Sequence, residues 1–233
     1  MPFWGNDMDE YFYIKYILLI VVGFLTGGIM FSRIIPRLLR GTDVCETGKD
    51  GNPGAANAFT SCGPVIGMIC LIMDMLKGFI PVFIALKWLD RSSWFFALAM
   101  LAPVLGHAIA PLGGFRGGKC IATVFGEMIA LMFFTPVGLG LAALYIIFST
   151  VLKISPNRRR SIVTFMLFGT LSFVFEIYEG RLPTALGCSL VSGVAIWKHL
   201  LSHKEAEQEE CIKASDLQDE STDEAADAHN YSA

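Results

Sequence analysis

A glycine-rich, basic segment near the middle of the chain has the composition of an anion-binding site. Gly117 and Gly118 lack a Cβ atom, so the backbone N–H groups around them can approach a ligand closely. Arg116 and Lys119 add two positive charges beside these amides. An apolar segment begins just after Lys119, and the amino terminus of the helix it predicts would also favour an anion. The combination predicts a site for a phosphate-like group, and the alternative is a flexible basic hairpin between two membrane spans.

A second polar segment, "GKDGNPGAANAF", lies between two apolar stretches and contains a similar set of residue types. Gly51 and Gly54 free the backbone, and Asn52 and Asn57 offer both hydrogen-bond donors and acceptors. Asp50 offers only acceptors at neutral pH. This segment predicts a second part of a polar ligand site, with a capped turn before the next span as the alternative.

Four further polar residues interrupt the apolar stretches themselves. His107 stands at the end of one stretch, where it is either an interfacial hydrogen-bonding residue or, beside an anion, a donor or proton acceptor. Asp74 and Lys77 are three residues apart on one predicted helix, so they are either a neutralising pair or functional residues. Glu127 has no evident partner in the sequence.

The sequence argues against nucleotide, metal and cofactor binding. Gly113, Gly118 and Lys119 match the spacing of a phosphate-binding P-loop, but Cys120 stands where the magnesium-binding Ser or Thr is required. The six cysteines show no CxxC pairing, and the four histidines are scattered along the chain. We therefore expect no metal site, no cofactor and no nucleic-acid partner.

The elements that position these segments are predicted to be membrane-spanning helices. The chain is 54% hydrophobic and 17% charged, whereas soluble domains carry about a quarter charged residues. A span needs roughly 20 mostly apolar residues. The candidates are Tyr11–Phe31, Gly63–Leu86, Ser93–Leu112, Ile121–Thr135, Val137–Leu152, Ile162–Ile177 and Leu182–Trp197. The sequence thus predicts an all-α, polytopic membrane protein with about seven spans, although the short fourth and fifth stretches could form one broken unit.

The distribution of basic residues predicts the orientation of the chain. With seven spans, thirteen Lys and Arg residues fall on one side of the membrane and three on the other. The positive side is the cytoplasmic side, which puts the amino terminus outside. Both glycine-rich segments and a third polar segment, "KHLLSHKE", then meet on the cytoplasmic face.

The carboxyl-terminal residues differ in composition from the rest of the chain. Ten of the 21 acidic residues lie between Glu205 and Asp227, with almost no large apolar residues among them. Such a composition cannot bury a core. We expect a membrane domain over residues 1–203 and an acidic, disordered cytoplasmic tail over residues 204–233.

Several of these segments resemble the motifs of one enzyme family. "KDGNPGAAN" resembles G-S-G-N-P-G-A-T-N, and "GHAIAPLGGFRGGKCIAT" resembles a motif of the form G-H-…-P-…-F-K-G-G-K-G-V-A-T. "GGIMFS" and "DMLKG" resemble two shorter motifs, and "HLLSHKE" loosely resembles the end of a third long one. In this order they resemble the bacterial acyl-phosphate-dependent glycerol-3-phosphate acyltransferases over Gly27 to Glu205.

The resemblance implies a reaction and a location. Members of this family transfer a fatty acyl group from acyl phosphate to the 1-hydroxyl of glycerol-3-phosphate, releasing lysophosphatidic acid and phosphate for phospholipid biosynthesis. The expected location is the bacterial plasma (inner) membrane, with the protein in contact with membrane lipid and its active site on the cytoplasmic face. The implied catalytic residues are Asp50, Asn57 and His107, and the implied substrate-binding residues are Gly51, Asn52, Gly54, Arg116, Gly117, Gly118, Lys119 and Glu205.

The chain departs from the family pattern at several motif positions. Asp50 replaces a serine, Ala56 a threonine, Cys120 a glycine and His203 a glycine, and Thr60 or Ser61 stands where an arginine is usual. Gaining a carboxylate and losing a cation would weaken phosphate binding, unless Arg33, Arg37 or Arg40 supplies the missing charge. The alternative function is a non-catalytic or substrate-altered membrane paralogue that binds a phosphorylated lipid or metabolite, or a small transporter.

Overall fold

The computed structural model describes residues 5–48 and 50–201, and no strand occurs in that part of the chain. Residues up to His199 form one compact unit. The helices are α1 (Gly5–Gly27), α2 (Phe31–Arg40), α3 (Val44–Thr47), α4 (Ala55–Cys62), α5 (Pro64–Trp88), α6 (Trp94–Ile109), α7 (Ile121–Leu131), α8 (Val137–Ile146), α9 (Asn157–Tyr178) and α10 (Leu182–Leu201). A 3-10 turn at Pro111–Gly113 follows α6, and a π-helical turn at Ile147–Val151 extends α8.

The expected all-helical, multi-pass membrane architecture is confirmed, but the count of seven spans is not. Four helices in the described residues are long and apolar enough to cross a membrane: α5, α6 with its 3-10 turn, α9 and α10. Tyr13–Gly27 and Phe31–Arg40 make a fifth span if the pair, bent by 42°, is one broken segment. Ile121–Leu131 and Val137–Val151 are apolar but shorter than the roughly 20 residues that a straight span needs.

Local sequence signals explain where the two best-defined spans begin. Gly63 has φ 87°, a conformation that a residue with a Cβ rarely adopts, and Pro64 then opens α5 at a position where no N–H group is needed. Ser93 precedes α6, and its hydroxyl accepts a hydrogen bond from the Phe95 N–H group. These signals fix the turns that connect the polar segments to the spans.

Small residues allow the central helices to approach one another closely. A Cβ atom on Gly78 of α5 would lie 2.1 Å from the Thr123 carbonyl oxygen, and one on Gly126 of α7 would lie 1.9 Å from the Met75 carbonyl oxygen. The two helix backbones are therefore in direct contact, as is common where membrane helices pack through glycine. This contact anchors α7, which follows the basic glycine-rich segment.

The outer surface of the bundle is apolar. Large hydrophobic side chains are exposed along the spans, including Ile14, Leu18, Val65, Ile72, Leu171 and Val174. A soluble protein rarely exposes contiguous apolar surface on this scale. This surface is the one that faces lipid in a multi-pass protein.

A buried ion pair joins α5 to the break between α1 and α2. Lys77 Nζ lies 2.9 Å from Asp74 Oδ1 and donates to the Ile29 carbonyl oxygen at 2.6 Å. The Ser32 hydroxyl donates to the other carboxylate oxygen of Asp74. The two charges thus form the neutralising pair that their spacing suggested. Helix α7 holds Glu127 wholly buried, without a hydrogen bond to either carboxylate oxygen in the described residues, and nothing in the structure explains it.

Candidate active site

The segment between α3 and α4 is organised around the side chain of Asn57. The Asn57 amide donates to Asp50 Oδ1 at 2.7 Å and to the Asn52 carbonyl oxygen at 2.8 Å. Gly51 has φ 60°, and a Cβ atom on Gly54 would lie 2.5 Å from the Asn52 amide nitrogen. The glycines therefore permit a turn that wraps the loop tightly around one amide, and the loop presents the Asp50 carboxylate.

The basic segment before α7 packs onto the end of α6. A Cβ atom on Gly117 would lie 1.9 Å from the Ala108 carbonyl oxygen, and one on Gly118 would lie 2.4 Å from His107 Nε2. The Gly118 N–H group donates to the His107 carbonyl oxygen at 3.1 Å. The two glycines are thus required for the loop to lie against its own helix, a reason that the sequence analysis did not foresee. His107 lies beneath this loop and is buried.

The two loops meet at an ion pair between residues 69 positions apart in the chain. Lys119 Nζ lies 2.6 Å from Asp50 Oδ2, and the two side chains retain 21% and 47% of their exposure. Burial opposes ionisation of Asp50, but the hydrogen bonds from Lys119 and Asn57 outweigh it and hold the pKa of Asp50 below its ordinary value. A partly exposed cation and a half-exposed carboxylate therefore share one site.

Arg33 and Arg37 of α2 are not free to add positive charge to this site. Arg33 Nη2 lies 3.0 Å from Asp43 Oδ2, and Arg37 pairs with the same oxygen. Burial opposes ionisation of Asp43, but the hydrogen bonds from Arg33 and from the Cys45 N–H group lower its pKa to about 2. Two of the three arginines that could replace the missing family arginine are therefore already paired with Asp43.

The site offers no cysteine nucleophile in α3. Burial, reinforced by the Asp43 carboxylate, raises the pKa of the Cys45 thiol above its ordinary value, so this sulfur stays protonated at neutral pH. Arg116 is exposed and lies within electrostatic range of Cys45.

The structure adds residues that the sequence analysis did not select. His199 of α10 is buried and lies within electrostatic range of both Lys119 and Asp50. Its carbonyl oxygen accepts a hydrogen bond from Arg158 Nε at 3.2 Å. Lys198 lies within electrostatic range of His107. Their position at the polar end of an apolar span was visible in "KHLLSHKE", but Glu205, the residue selected from that segment, lies outside the described residues.

Comparison with known proteins decides the family. The family model described as glycerol-3-phosphate acyltransferase matches residues 17–206. This chain belongs to the glycerol-3-phosphate acyltransferase family. A relative of that name from Thermotoga petrophila is 35% identical to this chain over 159 residues, which are 68% of this chain and 78% of the relative. Another, from Rubrobacter xylanophilus, is 32% identical over 183 residues, which are 78% of this chain and 87% of the relative.

The acyltransferase also resembles two crystal structures of PlsY (YgiH), an integral membrane glycerol 3-phosphate acyltransferase. The glycerol 3-phosphate form has a TM-score of 0.70 at 28% identity, and the match covers 83% of this chain and 92% of that chain. The lysophosphatidic acid form has a TM-score of 0.68 at 27% identity with the same coverage. The predicted family, fold class and enzyme class are therefore confirmed.

Proposed function

We propose that this acyltransferase transfers a fatty acyl group from acyl phosphate to the 1-hydroxyl of glycerol-3-phosphate, giving lysophosphatidic acid and phosphate. Family membership over residues 17–206 carries the proposal. It is supported by the meeting of two glycine-rich loops at Lys119, which offers a phosphate both a charge and nearby backbone amides. The related PlsY structures are described as glycerol 3-phosphate and lysophosphatidic acid forms, which are the acceptor and the product of this reaction.

The basic segment is the proposed site for the phosphate of glycerol-3-phosphate. Lys119 would supply a charge-assisted hydrogen bond, Arg116 a second charge and Gly117 a backbone N–H donor. Gly118 would hold the loop in position, because its N–H group already donates to the His107 carbonyl oxygen. The loop around Asn57 would shape the neighbouring acyl-phosphate side through Gly51, Asn52 and Gly54. Glu205 keeps the role implied by the family motif, which is to order the third motif or to hold a glycerol hydroxyl.

An acyl phosphate is already activated, so the protein needs to position the substrates and stabilise charge rather than form a covalent intermediate. Asp50, Asn57 and His107 are the proposed catalytic side chains. Asn57 holds Asp50 at 2.7 Å, which fixes the carboxylate next to the cation. His107 lies against Gly118, and its Nδ1 atom has no hydrogen-bond partner among the described residues.

The bacterial plasma membrane, with the site on its cytoplasmic face, is the proposed location. The excess of basic residues that a seven-span topology places on one side supports this orientation. Both proposed substrates then have ready access, because a fatty chain can enter from the bilayer while a small phosphate ester arrives from water.

One observation favours a second function. The Asp50 carboxylate forms an ion pair with Lys119 at 2.6 Å and partly neutralises the proposed phosphate site. A paralogue that binds a phosphorylated lipid or metabolite without turnover would show the same contact.

Assays of the purified protein decide between the two functions. Glycerol-3-phosphate is supplied with acyl phosphate in one reaction and with acyl-CoA in another, and lysophosphatidic acid and released phosphate are measured. We expect equal amounts of both products with acyl phosphate only. Binding of glycerol-3-phosphate without product from either donor would favour the paralogue.

A further inference from the structure

The two oxygens of the Asp50 carboxylate have different surroundings. Oδ1 accepts hydrogen bonds from the Asn57 amide at 2.7 Å and from the Asn52 N–H group at 3.3 Å. Oδ2 accepts only from Lys119, at 2.6 Å, among the described residues. The loop thus anchors Asp50 through one oxygen and leaves the other dependent on a single lysine.

A phosphate that draws the Lys119 ammonium group away from Asp50 would remove the partner of Oδ2. An ionised oxygen that loses its donor next to an incoming anion is unfavourable, because both the lost hydrogen bond and the like charge oppose binding. A ligand that brings a hydroxyl donor along with its phosphate can restore the missing bond. A ligand that brings a phosphate alone cannot.

We propose that Asp50 is a specificity-determining residue that selects hydroxyl-bearing phosphate esters, because its Oδ2 atom accepts a hydrogen bond from an acceptor hydroxyl when the substrate phosphate takes Lys119. The exchange leaves each charged group with a hydrogen-bond partner: phosphate replaces carboxylate on the lysine, and hydroxyl replaces lysine on the carboxylate. This role rests on the proposed function and explains why a carboxylate is compatible with a phosphate site. The lowered pKa of Asp50 agrees with a carboxylate that is ionised and ready to accept.

The test compares two phosphate esters that differ only in their hydroxyl groups. Binding of glycerol-3-phosphate and of propyl phosphate to the purified full-length protein is measured calorimetrically at about pH 8, where both esters are dianions because their second pKa lies near 6. A hydrogen bond to a charged acceptor corresponds to roughly tenfold to a hundredfold in affinity, so glycerol-3-phosphate should bind more tightly by that factor. In Asp50→Ala the preference should fall to within about threefold, mainly because propyl phosphate binds more tightly.

Two further variants serve as controls, one for misfolding and one for the loss of a negative charge elsewhere. Asp50→Asn can keep the contact with Asn57, so it serves as the test variant if Asp50→Ala fails to fold. It should tighten propyl phosphate binding by about tenfold. Glu46→Gln removes an equal charge from an exposed position of α3 and should keep the native preference. An unchanged preference in both Asp50 variants, or an equal gain for both esters, would overturn the selective role.

Turnover with acyl phosphate is measured in parallel on the same proteins. Turnover together with an unchanged preference would leave the proposed function in place and reject the role of Asp50. A lost preference in a protein without turnover would support the role of Asp50 and reject the proposed reaction.

Discussion

Two lysine–aspartate pairs of the acyltransferase have similar lengths and different surroundings. Lys77 and Asp74 lie 2.9 Å apart inside the bundle, each with 2% of its side chain exposed. Lys119 and Asp50 lie 2.6 Å apart between two loops, with 21% and 47% exposed. The buried pair also binds the Ile29 carbonyl oxygen and the Ser32 hydroxyl, so it is tied into the helix packing.

The comparison shows that the surroundings of an ion pair, rather than its length, indicate its role. A buried pair cannot open without leaving a charge unpaired in a low-dielectric interior. A half-exposed pair can exchange partners, because water and incoming ions compensate each charge. The first pair therefore holds the break between α1 and α2, whereas the second is available to a charged ligand.

Breaking the buried pair should lower the stability of the protein more than any other change proposed here. Lys77→Met leaves Asp74 without its cation, which costs about 3–5 kcal/mol of folding free energy. We expect a fall of roughly 6–20 °C in the thermal midpoint measured in detergent. Lys87→Met, on an exposed position of the same helix, is the control and should change the midpoint little. Equal midpoints for the two variants would show that the buried pair is not structural.

Removing the exposed cation should change catalysis rather than folding. Lys119→Ala deletes a charge-assisted contact to phosphate worth about 1.5–3 kcal/mol, so kcat/KM for glycerol-3-phosphate should fall about tenfold to a hundredfold. Lys119→Arg should recover part of this loss, while Lys153→Ala, at another exposed position, should behave like the native enzyme. Native kinetics in Lys119→Ala would remove this residue from the phosphate site.

A third carboxylate, Asp43, is intermediate between the two pairs, because it is buried like Asp74 but lies outside the spans, at the amino-terminal end of α3. Its pKa is lowered from 3.8 to about 2, so the stability it contributes is present above pH 3.8 and is lost as the pH falls to about 2. We expect the thermal midpoint of the native protein to drop over this window more than that of Asp43→Asn. Parallel curves for the two proteins would mean that Arg33 and Arg37 do not stabilise the fold through Asp43.

Removing the charge of Asp50 from the more exposed pair should have the smallest effect on protein stability. Asp50→Asn should lower the folding free energy by less than about 1 kcal/mol, a shift of at most about 2–4 °C. The difference should disappear in about 1 M KCl, where the Debye length is about 3 Å. A shift as large as that of Lys77→Met would contradict the distinction between the two pairs.

Much of the architecture followed from the sequence, because hydrophobic runs in a membrane protein leave few alternatives. All seven predicted stretches contain helix, and helix is the simplest structure that satisfies the backbone in lipid. The number of spans did not follow, because length alone cannot tell whether Ile121–Leu131 and Val137–Val151 cross the membrane separately. That distinction depends on tilt and packing.

The sequence named residues of the candidate site but not the contacts between them. The motifs singled out Asp50 and Lys119 individually, but their direct contact across 69 residues was not foreseen. His199 was missed because a histidine at the end of an apolar span has no special signal until α10 brings it near the two loops. The sequence suggested that Gly117 and Gly118 face a ligand, whereas their close contacts in the structure are with α6 and His107.

The sequence by itself determined the membrane-protein class, the family and the residue types available for phosphate chemistry, because hydrophobicity and motif spacing are properties of the chain alone. Only the tertiary structure decided which charges neutralise one another. Asp43 forms ion pairs with Arg33 and Arg37, while Asp50 forms one with Lys119. The physical reason is that electrostatic pairing depends on distance and burial, and both are set when the helices pack and bring distant loops together.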